Sequence, residues 1–329
     1  MAENILLIRL KAIGDVVLTL PAVNAVRENF PDAKITFLTS KENALFLQGF
    51  RAVNEVIALD RARLKTGNPL KVAPEFFGLL RKLRAGKFSL VVDFQGFGET
   101  AWLTRLTGAP QRWGSIYSSG RAWAYTHGFT RDDGIHPAGW HCSLLRQCGL
   151  KIGAPKNEFV PPPEALAGAR NFFAEQKLDP AQTTLYLQPF TSTPHKNWPL
   201  ENYLALARHW RGRGAQIIFG GGPKDLAQLE VVRKEGFILA TGVSRWADIG
   251  LMQLSSLVVG GDTGFLHLAV AMGRRVVMLQ LPFKHISPHP FGHPDWSVTP
   301  ENSQSVPEIS LATVIAASER AVVAQASRL

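Results

Sequence analysis

L-V-V-G-G-D-T-G-F-L-H-L-A-V-A-M-G, Leu257–Gly273, reads as a buried strand ending at Val259, a turn on two glycines, and a helix opened by Asp262, Thr263 and Gly264. His267 falls one turn into that helix. A strand running through a tight turn into a helix is the repeating unit of a parallel α/β sheet. A helix start offers unpaired N–H groups and a partial positive charge. Glycines let a bulky anion approach that backbone. Asp262 is expected at the N-cap, and its carboxylate suits a hydroxyl or an ammonium beside the anion. The stretch is therefore either a site for a phosphorylated ligand bearing sugar hydroxyls or a capped helix with a satisfied histidine.

Outward from this stretch the same alternation fills the chain. Before it come strands at Thr184–Gln188, Gln216–Phe219 and Ile238–Ala240, and a strand at Arg275–Leu279 follows. Helices are expected at Pro163–Gln176, Leu200–Arg213, Pro223–Lys234, Ala247–Ser255 and Leu311–Gln325. The N-terminal half repeats the pattern, with strands at Asn4–Leu10, Lys34–Leu38, Glu55–Ala58, Leu90–Asp93 and Gln111–Gly114. Its helices are expected at Gly14–Asn29, Ala44–Gln48, Pro74–Arg84, Thr100–Leu106 and His136–Cys148. Between Gly149 and Pro163 the chain turns rich in Pro and Gly, as linkers do. The prediction is an α/β protein of two doubly wound, Rossmann-like domains, 1–160 and 161–329, facing across a cleft. The last helix is expected to pack back on the first domain.

The 329 residues exceed the usual single-core size, which agrees with two domains. Composition is that of an ordinary globular protein, with no apolar run long enough for a membrane span or a signal peptide. Two cysteines, Cys142 and Cys148, exclude a disulfide framework and carry no zinc-ligand pattern, so the chain reads as cytoplasmic. Net charge is +10, and residues 1–155 hold 20 Lys and Arg against 12 Asp and Glu. A basic half faces an anionic partner or is simply soluble. The clusters at 61–65 and 81–87 suit phosphate-rich acceptors or lipid head groups, and equally suit solvated helix faces.

Four strand edges in the second half end in ligand-compatible loops, 188–196, 220–225, 241–244 and 260–264. In L-Y-L-Q-P-F-T-S-T-P-H-K-N-W, Thr191 and Ser192 supply hydroxyls, and Lys196 supplies a cation for a diphosphate leaving group. In F-G-G-G-P-K-D, Gly221 admits backbone and Asp225 suits ribose hydroxyls. The first junction, I-R-L-K-A-I-G-D, lacks the dinucleotide fingerprint G-x-G-x-x-G. Gly14 turns the chain there, and Asp15 is either a general base or a first-turn acid favoured by the helix dipole. His285, His289 and His293 repeat at intervals of four, but interleaved prolines forbid the helix that would align them on a metal. No D-x-D pair for a nucleotide-bound divalent ion is present.

I-G-D-V-V-L-T-L-P-A near the N-terminus, K-N-W-P-L-E-N-Y in the middle and G-D-T-G-F-L-H-L-A-V-A-M-G late in the chain together resemble the ADP-heptose:lipopolysaccharide heptosyltransferases, glycosyltransferase family 9. The resemblance implies a GT-B fold and an inverting, metal-independent transfer of heptose or a related sugar from an ADP-sugar co-substrate. No further cofactor and no nucleic-acid partner is implied. The acceptor is a lipid-linked lipopolysaccharide core saccharide, which puts the protein peripherally on the inner face of the cytoplasmic membrane. Asp15 then matches the base and Lys196 the phosphate-binding lysine. Asp262, Thr263, Gly264 and His267 match the donor motif, Asp225 the ribose acid, and Val243 the backbone contact to adenine. A family D-x-Q-G-x-x-K-S becomes D-F-Q-G-F-G-E-T here, with Glu99 and Thr100 removing a cation on the acceptor side. A nucleotide-sugar epimerase or hydrolase on the same scaffold and a non-catalytic nucleotide-binding protein remain the alternatives.

Overall fold

A computed structural model describes residues 3–66, 69–282, 288–301 and 305–326. The chain divides into two compact units, Met1–Phe159 and Val160–Leu329. Each is built on a six-stranded sheet.

In the first unit the strands are β1 (Asn4–Ile8), β2 (Lys34–Ser40), β3 (Glu55–Leu59), β4 (Leu90–Asp93), β5 (Gln111–Ile116) and β6 (His127–Thr130). They lie in the order β3-β2-β1-β4-β5-β6, all parallel, with Ile5 opposite both Ile35 and Leu90. In the second unit the strands are β7 (Thr184–Gln188), β8 (Gln216–Gly220), β9 (Ile238–Ala240), β10 (Leu257–Gly261), β11 (Val276–Leu279) and β12 (Ser297–Val298). Their order, β12-β11-β10-β7-β8-β9, is the same doubly wound topology, again parallel throughout. The central strands are near-continuous apolar runs because helices cover both faces of the sheet. Ile5–Ile8 and Leu257–Val259 are fully buried.

Three sequence expectations change in detail. The helix read over 14–29 is two helices, Ile13–Val17 and Leu20–Asn29. Pro21 has no N–H to continue the first helix, and the buried Thr19 hydroxyl instead donates to the Val16 carbonyl at 2.7 Å. Strands β6 and β12 were not foreseen; both are sheet edges, and H-G-F-T and S-V have no apolar run to announce them. The last helix, read over Leu311–Gln325, runs Leu311–Ala326 and lies in the second unit. There the indole of Trp210 donates to Ser318 Oγ at 2.9 Å, and Arg213 pairs with Glu319 at 2.9 Å.

Asp248 accepts a hydrogen bond from the fully buried Tyr186 hydroxyl. Desolvation pushes its carboxyl up to about 6, with the tyrosine hydrogen bond pulling the other way. A raised carboxyl pKa favours folding at low pH and loses that contribution as pH rises from about 4 through 6. Asp248→Asn keeps an acceptor for Tyr186 and removes the charge. Urea unfolding is expected to show the variant more stable than the parent by about 1–2 kcal/mol at pH 7.5, after discounting for the partial exposure of Asp248, and no more stable near pH 4.

Candidate active site

In a doubly wound sheet, ligands collect outside the C-terminal strand ends where the strand order reverses. In the second unit that point lies between β7 and β10. Their register sets Gly260 beside Gln188, so the loops leaving both strands run side by side. A Cβ on Gly261 would come within 2.6 Å of Thr191 Cγ2, so glycine is what lets the two loops touch.

The loop after β7 is pinned at both ends. The Thr191 N–H donates to Asn197 Oδ1 at 2.8 Å, and the Thr191 hydroxyl donates to the Thr193 carbonyl at 2.9 Å. Beyond it the buried Trp198 indole donates to the Ile309 carbonyl at 2.8 Å. Ser192 is exposed, and Lys196 closes a single 3-10 turn, Pro194–Lys196.

Asp262 is not the helix cap. Strand β10 continues through Gly261, and the Asp262 N–H still donates to the Leu279 carbonyl of the neighbouring strand at 3.1 Å. The cap moves one residue on, to Thr263, whose side-chain oxygen accepts from the Leu266 N–H at 3.4 Å, and the helix is Gly264–Ala271. The Asp262 carboxylate is thereby free for two other side chains. Oδ2 receives Lys196 Nζ at 3.2 Å, and Oδ1 meets Nε2 of the buried His267 at 3.2 Å. Burial pushes the Asp262 carboxyl up, but the His267 hydrogen bond and charge, with the charge of Lys196, outweigh it and hold the group below the usual carboxylate range.

Lys196 and Asp262 also line a cavity of about 50 Å³ with Leu279, Gln280, Leu281 and Val306. That volume suits a water or one arm of a phosphate rather than a whole nucleotide. Gln280 is buried, its Nε2 donates to Ser297 Oγ at 2.5 Å, and its Oε1 has no partner among the described residues. It is a site residue that sequence reasoning missed.

Further along the same edge, Asp225 is buried and its Oδ2 accepts from the Gly222 N–H at 2.8 Å. The acid expected at a ribose thus also braces its own glycine loop. Gly221 packs against the Leu229 side chain, and Val243 sits half-buried after β9.

The first unit has its own reversal point, between β1 and β4. Gly14 and Asp15 lie in the short helix there. Asp15 Oδ2 accepts from the Ala12 N–H at 2.9 Å and pairs with Arg9 Nη2 at 3.0 Å. Oδ1 has no partner among the described residues, and the side chain is 43% exposed. Arg9 is buried and also donates to the Phe94 carbonyl at 2.9 Å, while Gln95 Oε1 accepts from the Leu10 N–H at 2.8 Å. Neither Arg9 nor Gln95 was foreseen. A charge inside I-R-L, at the end of an apolar strand, was the available signal for the first.

At position 99 the carboxylate that stands in place of a cation is itself paired with an arginine from elsewhere in the chain. Arg61 grips Glu99 with two nitrogens, Nε at 3.0 Å from Oε1 and Nη2 at 2.7 Å from Oε2. Thr100 caps its own helix through the Phe97 backbone. Among the described residues no cluster of three potential metal ligands occurs. His293 stacks on Trp296 at 3.7 Å, His289 Nδ1 lies 3.1 Å from the Pro290 carbonyl oxygen, and His285 lies outside the described residues.

The family model described as "Glycosyltransferase family 9 (heptosyltransferase)" matches residues 76–308. A lipopolysaccharide heptosyltransferase 3 of Escherichia coli is 24% identical over 293 residues, covering 85% of this chain and 84% of that protein. Among solved structures, a family 9 glycosyl transferase from Veillonella parvula superposes with a TM-score of 0.86 at 21% identity, covering 98% of this chain and 97% of the other. The E. coli heptosyltransferase WaaC with ADP-2-deoxy-2-fluoro heptose gives 0.77 at 19% identity, covering 96% and 99%. These structural neighbours share the GT-B fold with this chain.

Proposed function

The chain belongs to glycosyltransferase family 9, the heptosyltransferases, and from that premise we propose that it moves a heptose or related sugar from an ADP-sugar to a lipid-linked lipopolysaccharide core saccharide, with inversion. The observation that carries the donor assignment is the convergence of Lys196, Asp262 and His267 at the reversal point of the second sheet.

The donor half works through fixed charge. Lys196 and the N–H groups opening the helix at Gly264 offset charge that develops on the departing diphosphate. The exposed Ser192 hydroxyl donates to its oxygens, and Thr191, whose own hydroxyl is held by the Thr193 carbonyl, fixes the loop that presents it. Asp262 accepts from sugar hydroxyls while His267 braces it from behind. Gly221 admits the nucleotide backbone, Asp225 takes the ribose, and Val243 meets the adenine. Gln280 Oε1 offers a further acceptor beside Lys196.

Asp15 is the general base. Its Oδ1 takes the proton of an acceptor hydroxyl as that oxygen attacks the anomeric carbon opposite the ADP, the carbon–diphosphate bond breaks, and ADP leaves. Ala12 N–H and Arg9 hold Oδ2, which fixes the carboxylate while leaving Oδ1 to the substrate. Gly14 gives the acceptor close access to this turn.

A thermal-shift screen across ADP-, UDP- and GDP-sugars tests the donor, and mass spectrometry of the product with lipid-linked acceptors tests the transfer. A shift confined to UDP-sugars, or release of free sugar without acceptor, overturns the reading. Because Lys196 and the helix start supply the positive charge, EDTA is expected to leave the transfer rate unchanged. A rate lost to EDTA and restored by manganese defeats the metal-independent mechanism.

A further inference from the structure

The first unit carries on its outer flank an aromatic and cationic surface that the proposed reaction does not use. Helix Gly98–Leu106 packs on the short 3-10 helix Ser119–Ala124. Where they meet, Trp102 and Trp123 pack edge to face at 4.5 Å, yet remain 59% and 45% exposed. Phe97 and Tyr117, each 38% exposed, make a second pair at 5.3 Å.

The acids next to these rings are already paired, Glu99 with Arg61 and Asp133 with Arg131, which leaves the charge beside the two indoles to arginine. From Thr100 to Arg131 the sequence holds four arginines and no Asp or Glu. Arg105 is exposed on the same helix face as Trp102 and has no ion-pair partner among the described residues. Arg112 is fixed beside Trp123, its Nε donating to the Ala124 carbonyl at 2.9 Å. Burial, and then the nearby Arg105 charge, lower the Arg112 guanidinium below its usual range. Two like charges held together beside exposed indoles call for an anionic partner with an apolar layer behind it.

We propose that Trp102, Trp123, Arg105 and Arg112 form a docking surface for an anionic lipid bilayer, the indoles seated at head-group level and the guanidiniums on lipid phosphates. The proposal deepens the reading of a lipid-linked acceptor by naming the surface that meets the membrane. Two features favour a bilayer over a bound saccharide. Trp102 is midway along its helix and Trp123 comes after the strand-edge loop has turned back, so the pair lies off the C-terminal sheet edge where substrates bind. Exposed indoles with cations beside them are also the side chains that seat a protein on a membrane interface rather than across it.

The test is co-sedimentation of the full chain with vesicles of phosphatidylcholine alone or mixed with phosphatidylglycerol. The chain is expected to bind the anionic vesicles at least tenfold more tightly than the neutral ones, and to lose most of that preference in high salt. Brominated phospholipid is expected to quench tryptophan fluorescence in the parent and much less in the double variant Trp102→Ser/Trp123→Ser. That variant is expected to bind at least tenfold more weakly, and Arg105→Gln about fivefold more weakly, roughly the worth of one cation at an anionic surface. All three side chains are exposed, and unchanged melting temperatures check folding. Equal binding to neutral and anionic vesicles, or variants that bind like the parent, overturns the proposal. So does quenching of this pair by a soluble oligosaccharide without vesicles. Vesicle binding is read without turnover, so failure of the glycosyltransferase reading leaves this outcome standing.

Discussion

Asp15→Asn is expected to lower sugar transfer by about 10²–10⁴-fold while leaving ADP-sugar binding within about twofold. The substitution keeps size and shape. The amide oxygen still accepts from the Ala12 N–H, so the turn that starts the first helix is retained. What is lost is a group able to take a proton on the Oδ1 side. The variant also removes the partner of Arg9, a buried guanidinium that keeps the Phe94 carbonyl. A stability loss of about 1–3 kcal/mol is therefore expected beside the rate effect. Rates are to be compared only where both proteins are fully folded by circular dichroism. Turnover within tenfold of the parent, measured as ADP released with acceptor present, removes Asp15 from the role of base. A matching loss of donor affinity makes it a structural residue of the loop instead.

The doubly wound architecture was legible because parallel strands buried on both faces are written as apolar runs. N-I-L-L-I, T-L-Y-L-Q and L-V-V-G-G are three of them, each followed by helical periodicity. What was illegible sits at the edges and in the crossovers. H-G-F-T and S-V become strands only because a neighbouring strand offers hydrogen bonds, and local pattern does not encode that neighbour. The donor loops could be found singly, since glycines, hydroxyls and a cap residue mark each of them. Their meeting is a property of the β7–β10 pairing, which joins Lys196 to a carboxylate 66 residues away.

The N-cap assignment failed for a related reason. Asp and Thr are both good caps and stand adjacent at 262 and 263. Only the bond from the Asp262 N–H to Leu279, just past the end of the strand, keeps Asp262 out of the helix cap. The shift by one residue turns Asp262 from a group spent on the helix into the centre of a Lys–Asp–His cluster. Gln280 was missed because a single buried amide after an apolar strand has no period to betray it.

Lys196→Ala is expected to lower kcat/KM by about 10²–10³-fold, with the loss falling mainly on kcat. The ammonium of Lys196 lies 3.2 Å from Asp262 Oδ2 with about a third of the side chain exposed, so it can serve either the carboxylate or an incoming diphosphate. The two roles separate by experiment. If Lys196 acts on the leaving group, its charge is worth most when the sugar–diphosphate bond is breaking, and removing it slows the chemical step. The ADP-induced melting shift shrinks as well, and stability changes by under about 1 kcal/mol, since a partly exposed ion pair contributes little. If Lys196 only holds Asp262, Asp262→Asn costs as much as Lys196→Ala, and the double variant costs no more than either alone. The depressed Asp262 carboxyl adds a pH signature. Its stabilising pair with His267 and Lys196 is present above the ordinary carboxylate range and is lost as pH falls through its lowered pKa, so the paired carboxylate persists at neutral pH. Lys196→Arg then decides between charge and shape. A guanidinium restores the charge but not the compact, point-like donor, so substantial rescue assigns the effect to electrostatics and none assigns it to geometry. A double-mutant cycle that shows full non-additivity with Asp262→Asn, together with an unchanged ADP shift, removes Lys196 from the leaving-group role.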